Sequence, residues 1–183
     1  MSHEEIIKRA RRRPLFQPGP STRPVDIGRA QIEQMLPHRD PMLLVDRISQ
    51  VDLEQRAMRA HRRILPEDPV LRGHFPGHPV YPGCLLVEAI GQASLCLHHL
   101  LEAGRTHVLG EDRPAPVRLL RISQGLFLAE ALPGDELVLL CRRLEADGFT
   151  AVCAGQALRG ETICAVALME VYLVGGEGET EST

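Results

Sequence analysis

The apolar positions change rhythm along the chain. From Cys84 to Ala103 they occupy nearly every face of a helix, with no proline and one glycine, Gly91, inside the run. A helix that is apolar all round is one enclosed by the rest of its fold. Gly104 stands where a helix C-terminal cap belongs. The run is long enough to raise the question of a membrane span, but Glu88, Gln92, His98 and His99 lie within it. Such groups are costly in hydrocarbon, so the sequence favours a protein-enclosed helix and no membrane.

Downstream the pattern shortens to strand length, at about 117–122, 126–131, 136–144, 149–158 and 162–174. Pro133-Gly134-Asp135, Asp147-Gly148 and Arg159-Gly160 separate these runs. Asp-Gly between apolar strands makes a hairpin, which predicts an antiparallel sheet. Upstream, Asp26 is placed to cap a short helix through about Leu36. MLLVDRI, beginning at Met42, and about Gln55 to Arg63 read as two further strands. The fold class is therefore α+β, an antiparallel sheet curled around one long helix, over residues 25–174. Residues 1–24 read as an arm and linker, because PLFQPGPSTRP breaks the short helix that SHEEIIKRARRR could form. The tail, 175–183, is acidic and small-residue-rich and reads as disordered.

Composition narrows the function classes. The formal charge of -3 and 3% aromatic content give no basic surface interleaved with stacking platforms, which argues against nucleic acid. The five cysteines form no CxxC pair and sit in apolar runs, as small buried thiols do in a reducing compartment. The basic start has no apolar h-region after it, so the expected location is cytoplasmic.

Three features carry candidate chemistry. Cys84, Glu88 and Gln92, at i, i+4 and i+8, form the one polar stripe on the long helix. Burial there would favour a protonated Glu88 able to act as a general acid, fixed by Gln92. An interface contact would explain the same carboxylate equally well. His74 lies in GHFPGHPVYPG, a loop whose prolines and glycines restrict where the imidazole can go. Taken alone, a loop histidine is more often structural than catalytic, and His78 more so. Gly83 and Cys84 open the helix, where free N–H groups can stabilise negative charge on an oxygen. No metal spacing is present: His98 and His99 are adjacent and face different ways, and no HExxH occurs. GxSxG, GxGxxG and P-loop patterns are absent as well.

Together, LPHRDPMLLVDRI (36–48), GHFPGHPVYPG (73–83), LLVEAIGQAS (85–94) and PGD (133–135) closely resemble the FabZ-type 3-hydroxyacyl-[acyl-carrier-protein] dehydratases, from about Val25 to Val174. The resemblance implies the hotdog fold and a catalytic pair of His74 and Glu88, with the Gly83 amide as oxyanion donor. It also implies a site shared across a homodimer or a trimer of dimers, at the mouth of an acyl tunnel. The substrate would be a phosphopantetheine-linked acyl group on acyl carrier protein, with no metal or redox cofactor. Arg59, Arg62, Arg63 and Arg72, near the motif, are candidates for carrier docking, and a solvated strand face explains them equally well.

Pro82-Gly83-Cys84 is also similar to the FabA type, but that type has aspartate where Glu88 stands. The chain departs from the FabZ pattern in its long N-terminal arm and in Leu126, Leu128 and Glu130, where the family carries positive charge. A further departure is Leu120-Arg121, in place of an Ala-Gly pair, before Ile122. A dehydratase dedicated to polyketides or specialised lipids fits these changes. A hotdog thioesterase, or a non-catalytic carrier-binding subunit of a hetero-oligomer, are the competing functions.

Overall fold

The structure, a computed structural model, describes residues 1–174, so the tail at 175–183 lies outside the described residues. In chain order the elements are α1 (His3–Ala10), β1 (Arg23–Gly28), α2 (Arg29–Met35), β2 (Arg47–Asp52) and β3 (Ala57–Arg63). A short turn of 3-10 helix, Pro69–Arg72, precedes α3 (Gly83–Glu102). Then come β4 (Val117–Phe127), β5 (Glu136–Ala146), β6 (Thr150–Arg159) and β7 (Thr162–Leu173). The seven strands form one sheet in the order β1-β2-β3-β5-β6-β7-β4, antiparallel throughout.

The sheet curls around α3, whose Leu86, Ala89, Ile90, Ala93, Cys96, Leu97 and Leu100 are buried against it. This helix is long and apolar enough to cross a membrane by composition, yet here it is the core of the fold. Gly155 on β6 admits it: a Cβ there would come within 2.3 Å of Ile90 Cγ2. Gly104, at φ +62, ends α3 in the left-handed conformation that glycine adopts without steric cost.

Several elements differ from the sequence expectation, each for a physical reason. Asp26 caps no helix; it lies in β1, paired with β2, and its carboxylate meets Arg47 at 3.1 Å. The cap of α2 is Gly28, whose N–H donates to Gln31 Oε1. MLLVDRI is a strand only from Arg47 onward. Before that its backbone is occupied by a side chain: the Leu44 N–H donates to Gln92 Oε1 and the Met42 carbonyl accepts from Gln92 Nε2. The runs at 117–122 and 126–131 form a single strand, β4, that ends at Phe127. Its partner β7 is long enough to pair along its whole length, with two register shifts absorbing the polar middle.

Residues 1–24, read as an arm and linker, are docked on the outer face of the sheet. A capping box between Ser2 and Glu5 starts α1, and Ile7, Ala10 and Phe16 are buried against Ala154, Leu158, Val166 and Leu168. Gln156 holds the segment, accepting from the Leu15 N–H and donating to the carbonyls of Ala10 and Arg13. This coverage explains why β6 is buried on both faces and reads as nearly continuous apolar chain. Gln156→Leu is expected to strand these three backbone groups and lower stability by about 1–3 kcal/mol. Urea unfolding reads the loss, and an unchanged midpoint would mean that the arm docks without Gln156.

Candidate active site

His74 is placed by a loop that closes on itself through the backbone. The Val80 N–H donates to the His74 carbonyl at 2.8 Å, and Phe75 and His78 exchange N–H···O bonds of 3.2 and 3.0 Å. The ring of His74 stacks on Phe75, and its Nδ1 lies 2.9 Å from the Val80 carbonyl oxygen. A carbonyl only accepts, so Nδ1 carries the proton and donates it. The neutral ring then presents Nε2 as a lone pair, the form a base requires.

The first turn of α3 lies beside this ring. Pro82 is its N-cap, and Leu85 and Leu86 N–H return to the Pro82 carbonyl, which leaves Gly83 and Cys84 N–H without backbone partners among the described residues. Gly83 is needed for close approach, since a Cβ would stand 2.6 Å from the Phe127 ring. His74, Gly83, Cys84 and Phe127 line one cavity.

Glu88 opens onto another cavity. Its Oε1 accepts from Gln92 Nε2 at 2.8 Å and lies 3.4 Å from His38 Nε2. Gln92 is 1% exposed and bonded at both ends of its amide, so it fixes the carboxylate to the 42–44 segment. The burial expected for Glu88 is not found in the single chain, where its side chain is 37% exposed toward this cavity.

The expected residues therefore divide between two places. Gly83 and Cys84 accompany His74; Gln92 accompanies Glu88; the helix stripe is split between two cavities, and one chain does not bring His74 to Glu88. His78 is 70% exposed and pairs with Glu130 at 3.5 Å. Among the arginines, Arg62 is removed from the docking set. β3 alternates, and position 62 points inward, where its guanidinium lies 3.3 Å from Asp46 and 3.8 Å from Asp68 with only 8% of the side chain exposed. Arg62→Ala is expected to cost about 1–3 kcal/mol, because it leaves Asp68 without its cation and Asp46 with Arg29 alone. A denaturant titration reads this, and a loss below a few tenths would mean that water replaces the guanidinium. Arg63 and Arg72 are exposed and Arg59 half-buried.

His38 was missed as a site residue. LPHRDP was informative as a motif, but nothing in its spacing joins position 38 to a helix fifty residues on. The contact depends on the 42–46 segment being tied to Gln92.

A long helix wrapped by an antiparallel sheet defines the hotdog class. The FabA-like domain family model matches residues 36–166. A 3-hydroxyacyl-[acyl-carrier-protein] dehydratase FabZ of Nitratiruptor sp. is 32% identical over 145 residues, covering 79% of this chain and 95% of that protein. Its namesake from Xylella fastidiosa is 37% identical over 118 residues, 63% of this chain and 68% of that one. Among solved structures, the dehydratase heterocomplex ApeI:P from Xenorhabdus doucetiae aligns with TM-score 0.58 at 16% identity, covering 78% of this chain and 90% of that one. The dehydratase domain of RzxB from Pseudomonas fluorescens aligns with TM-score 0.60 at 18% identity, over 87% of this chain and 52% of that one. These two likenesses are of fold. The chain belongs to the FabA-like family, and within it to the FabZ type.

Proposed function

We infer that the chain dehydrates a 3-hydroxyacyl thioester carried on acyl carrier protein to the trans-2-enoyl thioester. The observation that carries this reading is the orientation of His74, with Nδ1–H held by the Val80 carbonyl and Nε2 free beside the open N–H groups of Gly83 and Cys84. In this mechanism the Gly83 amide, helped by the helix dipole, polarises the thioester carbonyl. His74 Nε2 takes a proton from C2, and Glu88 gives a proton to the departing hydroxyl, which leaves as water. Gln92 orients the Glu88 carboxyl.

The pair is completed across a homodimer, His74 from one protomer meeting Glu88 of its partner. Two observations support this. The two side chains open onto different cavities of one chain. In addition, β4 leaves a long edge unpaired, with Leu119, Leu120 and Ile122 57%, 55% and 47% exposed. An apolar edge of this length is a template for pairing with another strand, here a second copy.

Arg59, Arg63 and Arg72 are the docking arginines proposed for the acidic carrier. Cytoplasmic location is proposed from the thiols: Cys96, Cys141, Cys153 and Cys164 are free and buried, and burial pushes the Cys141 and Cys153 thiols up to about 12.

Incubating the purified chain with a trans-2-enoyl thioester and following loss of the conjugated double bond tests the activity. Hydration to the 3-hydroxyacyl thioester is expected. Release of free thiol with no hydration would identify a thioesterase, and no reaction would indicate a non-catalytic subunit.

A further inference from the structure

The Glu88 cavity follows one face of α3. Glu88, Gly91, Gln92, Leu95 and His98 all line it, and the step from Glu88 to His98 rises about 15 Å along the helix axis. Between those ends its wall includes Val87, Leu95, Val117, Ile122, Met169 and Val171, an apolar channel of the kind an acyl tail occupies. His98, at the far end, breaks that pattern.

His98 is 4% exposed. Its Nδ1 lies 3.2 Å from Arg143 Nη1. A guanidinium only donates, so Nδ1 accepts and the proton of the neutral ring sits on Nε2. That N–H makes no hydrogen bond among the described residues. Arg143 Nε is also buried without a partner, although its Nη1 pairs with Glu102. Burial drives the pKa of His98 down; Glu102 opposes this, while Arg143 and His99 add to it. The ring is thus a neutral donor. No hydrogen bond joins it to Ser94, whose hydroxyl donates to the Ile90 carbonyl. His98 lines the cavity, so an acceptor on a bound ligand can meet this N–H there.

We propose that His98, backed by Arg143, is a recognition point for an oxygen on the far end of the acyl tail. The chain thereby selects acyl groups ending in a hydroxyl, carbonyl or carboxylate over plain alkyl ones. The proposal rests on the acyl-thioester reading above and deepens it. A tail ending in ammonium is excluded by the same geometry, since it brings donors and positive charge to a donor beside a guanidinium. A methyl end offers the His98 N–H no acceptor and displaces water that could accept from it.

The test is calorimetric binding of acyl-pantetheine amides to the full-length chain, in a length series with matched methyl and terminal-hydroxyl ends. At the length that reaches His98, the hydroxyl form is expected to bind roughly three- to tenfold more tightly, the range of one neutral hydrogen bond. His98→Leu removes that preference or reverses it, and His98→Gln, which keeps a donor, restores part of it. Equal affinities in the wild-type chain at every length, or a preference unchanged in His98→Leu, would overturn the proposal. The wild-type comparison decides it even if a variant does not fold. Turnover of a 3-hydroxyacyl thioester too short to reach His98 is measured alongside. Turnover with equal tail affinities sinks only the tail site, whereas the expected preference without turnover sinks only the dehydratase.

Discussion

His74→Ala is expected to lower kcat for enoyl-thioester hydration by about a hundredfold to ten-thousandfold, the usual contribution of one acid-base group. The loss belongs to kcat because, in the proposed mechanism, the imidazole acts on the C2 proton, while the thioester oxygen is held by backbone N–H groups that the substitution leaves in place. Folding should survive. The side chain makes one hydrogen bond, to the Val80 carbonyl, and the rest of the loop is closed by main-chain bonds between residues 74 and 80 and between 75 and 78. Kinetics are therefore read together with a thermal unfolding curve. A variant with an unchanged curve and near-native kcat would remove His74 from the chemistry.

Glu88→Gln is expected to cost a similar factor, again about a hundredfold to ten-thousandfold in kcat. The substitution keeps shape and leaves an oxygen to accept from Gln92, so position is retained and only the transferable proton is lost. Substitution of Gln92 by leucine has a different signature. That side chain also bonds the Leu44 N–H and the Met42 carbonyl, so its removal strands main-chain groups and loosens the wall of the site. Glu88→Gln should thus be inactive and stable, and Gln92→Leu both weakened and unstable. Equal destabilisation in the two would mean that Glu88 serves packing rather than catalysis.

The sequence was most informative where local chemistry decides the structure. Asp147-Gly148 and Arg159-Gly160 set two hairpins, and the uninterrupted apolar run before Gly104 set α3 within a residue of its observed ends. It was least informative where a segment's hydrogen bonds go to distant partners. The 42–46 run has strand composition, but its backbone is tied to Gln92, and β1 exists because β2 lies beside it. Docking of α1 depends on Gln156, a polar residue in an apolar strand whose purpose is visible only once the outer face is known to be covered. Within the candidate site, His74 and Glu88 were proposed from their motifs, but their separation into two cavities was not legible there. His38 was not singled out and His98 was weighed only as a metal ligand, because a histidine's role depends on what faces each ring nitrogen.

The central claim is that each active site takes His74 from one protomer and Glu88 from its partner. Mixing the His74→Ala and Glu88→Gln chains under conditions that exchange subunits tests it directly. Half of the resulting dimers are mixed, and each of those carries one site with both native groups, so activity should return to about a quarter of the native value. Activity that stays at the level of the separate inactive variants, with subunit exchange verified, would contradict the shared site.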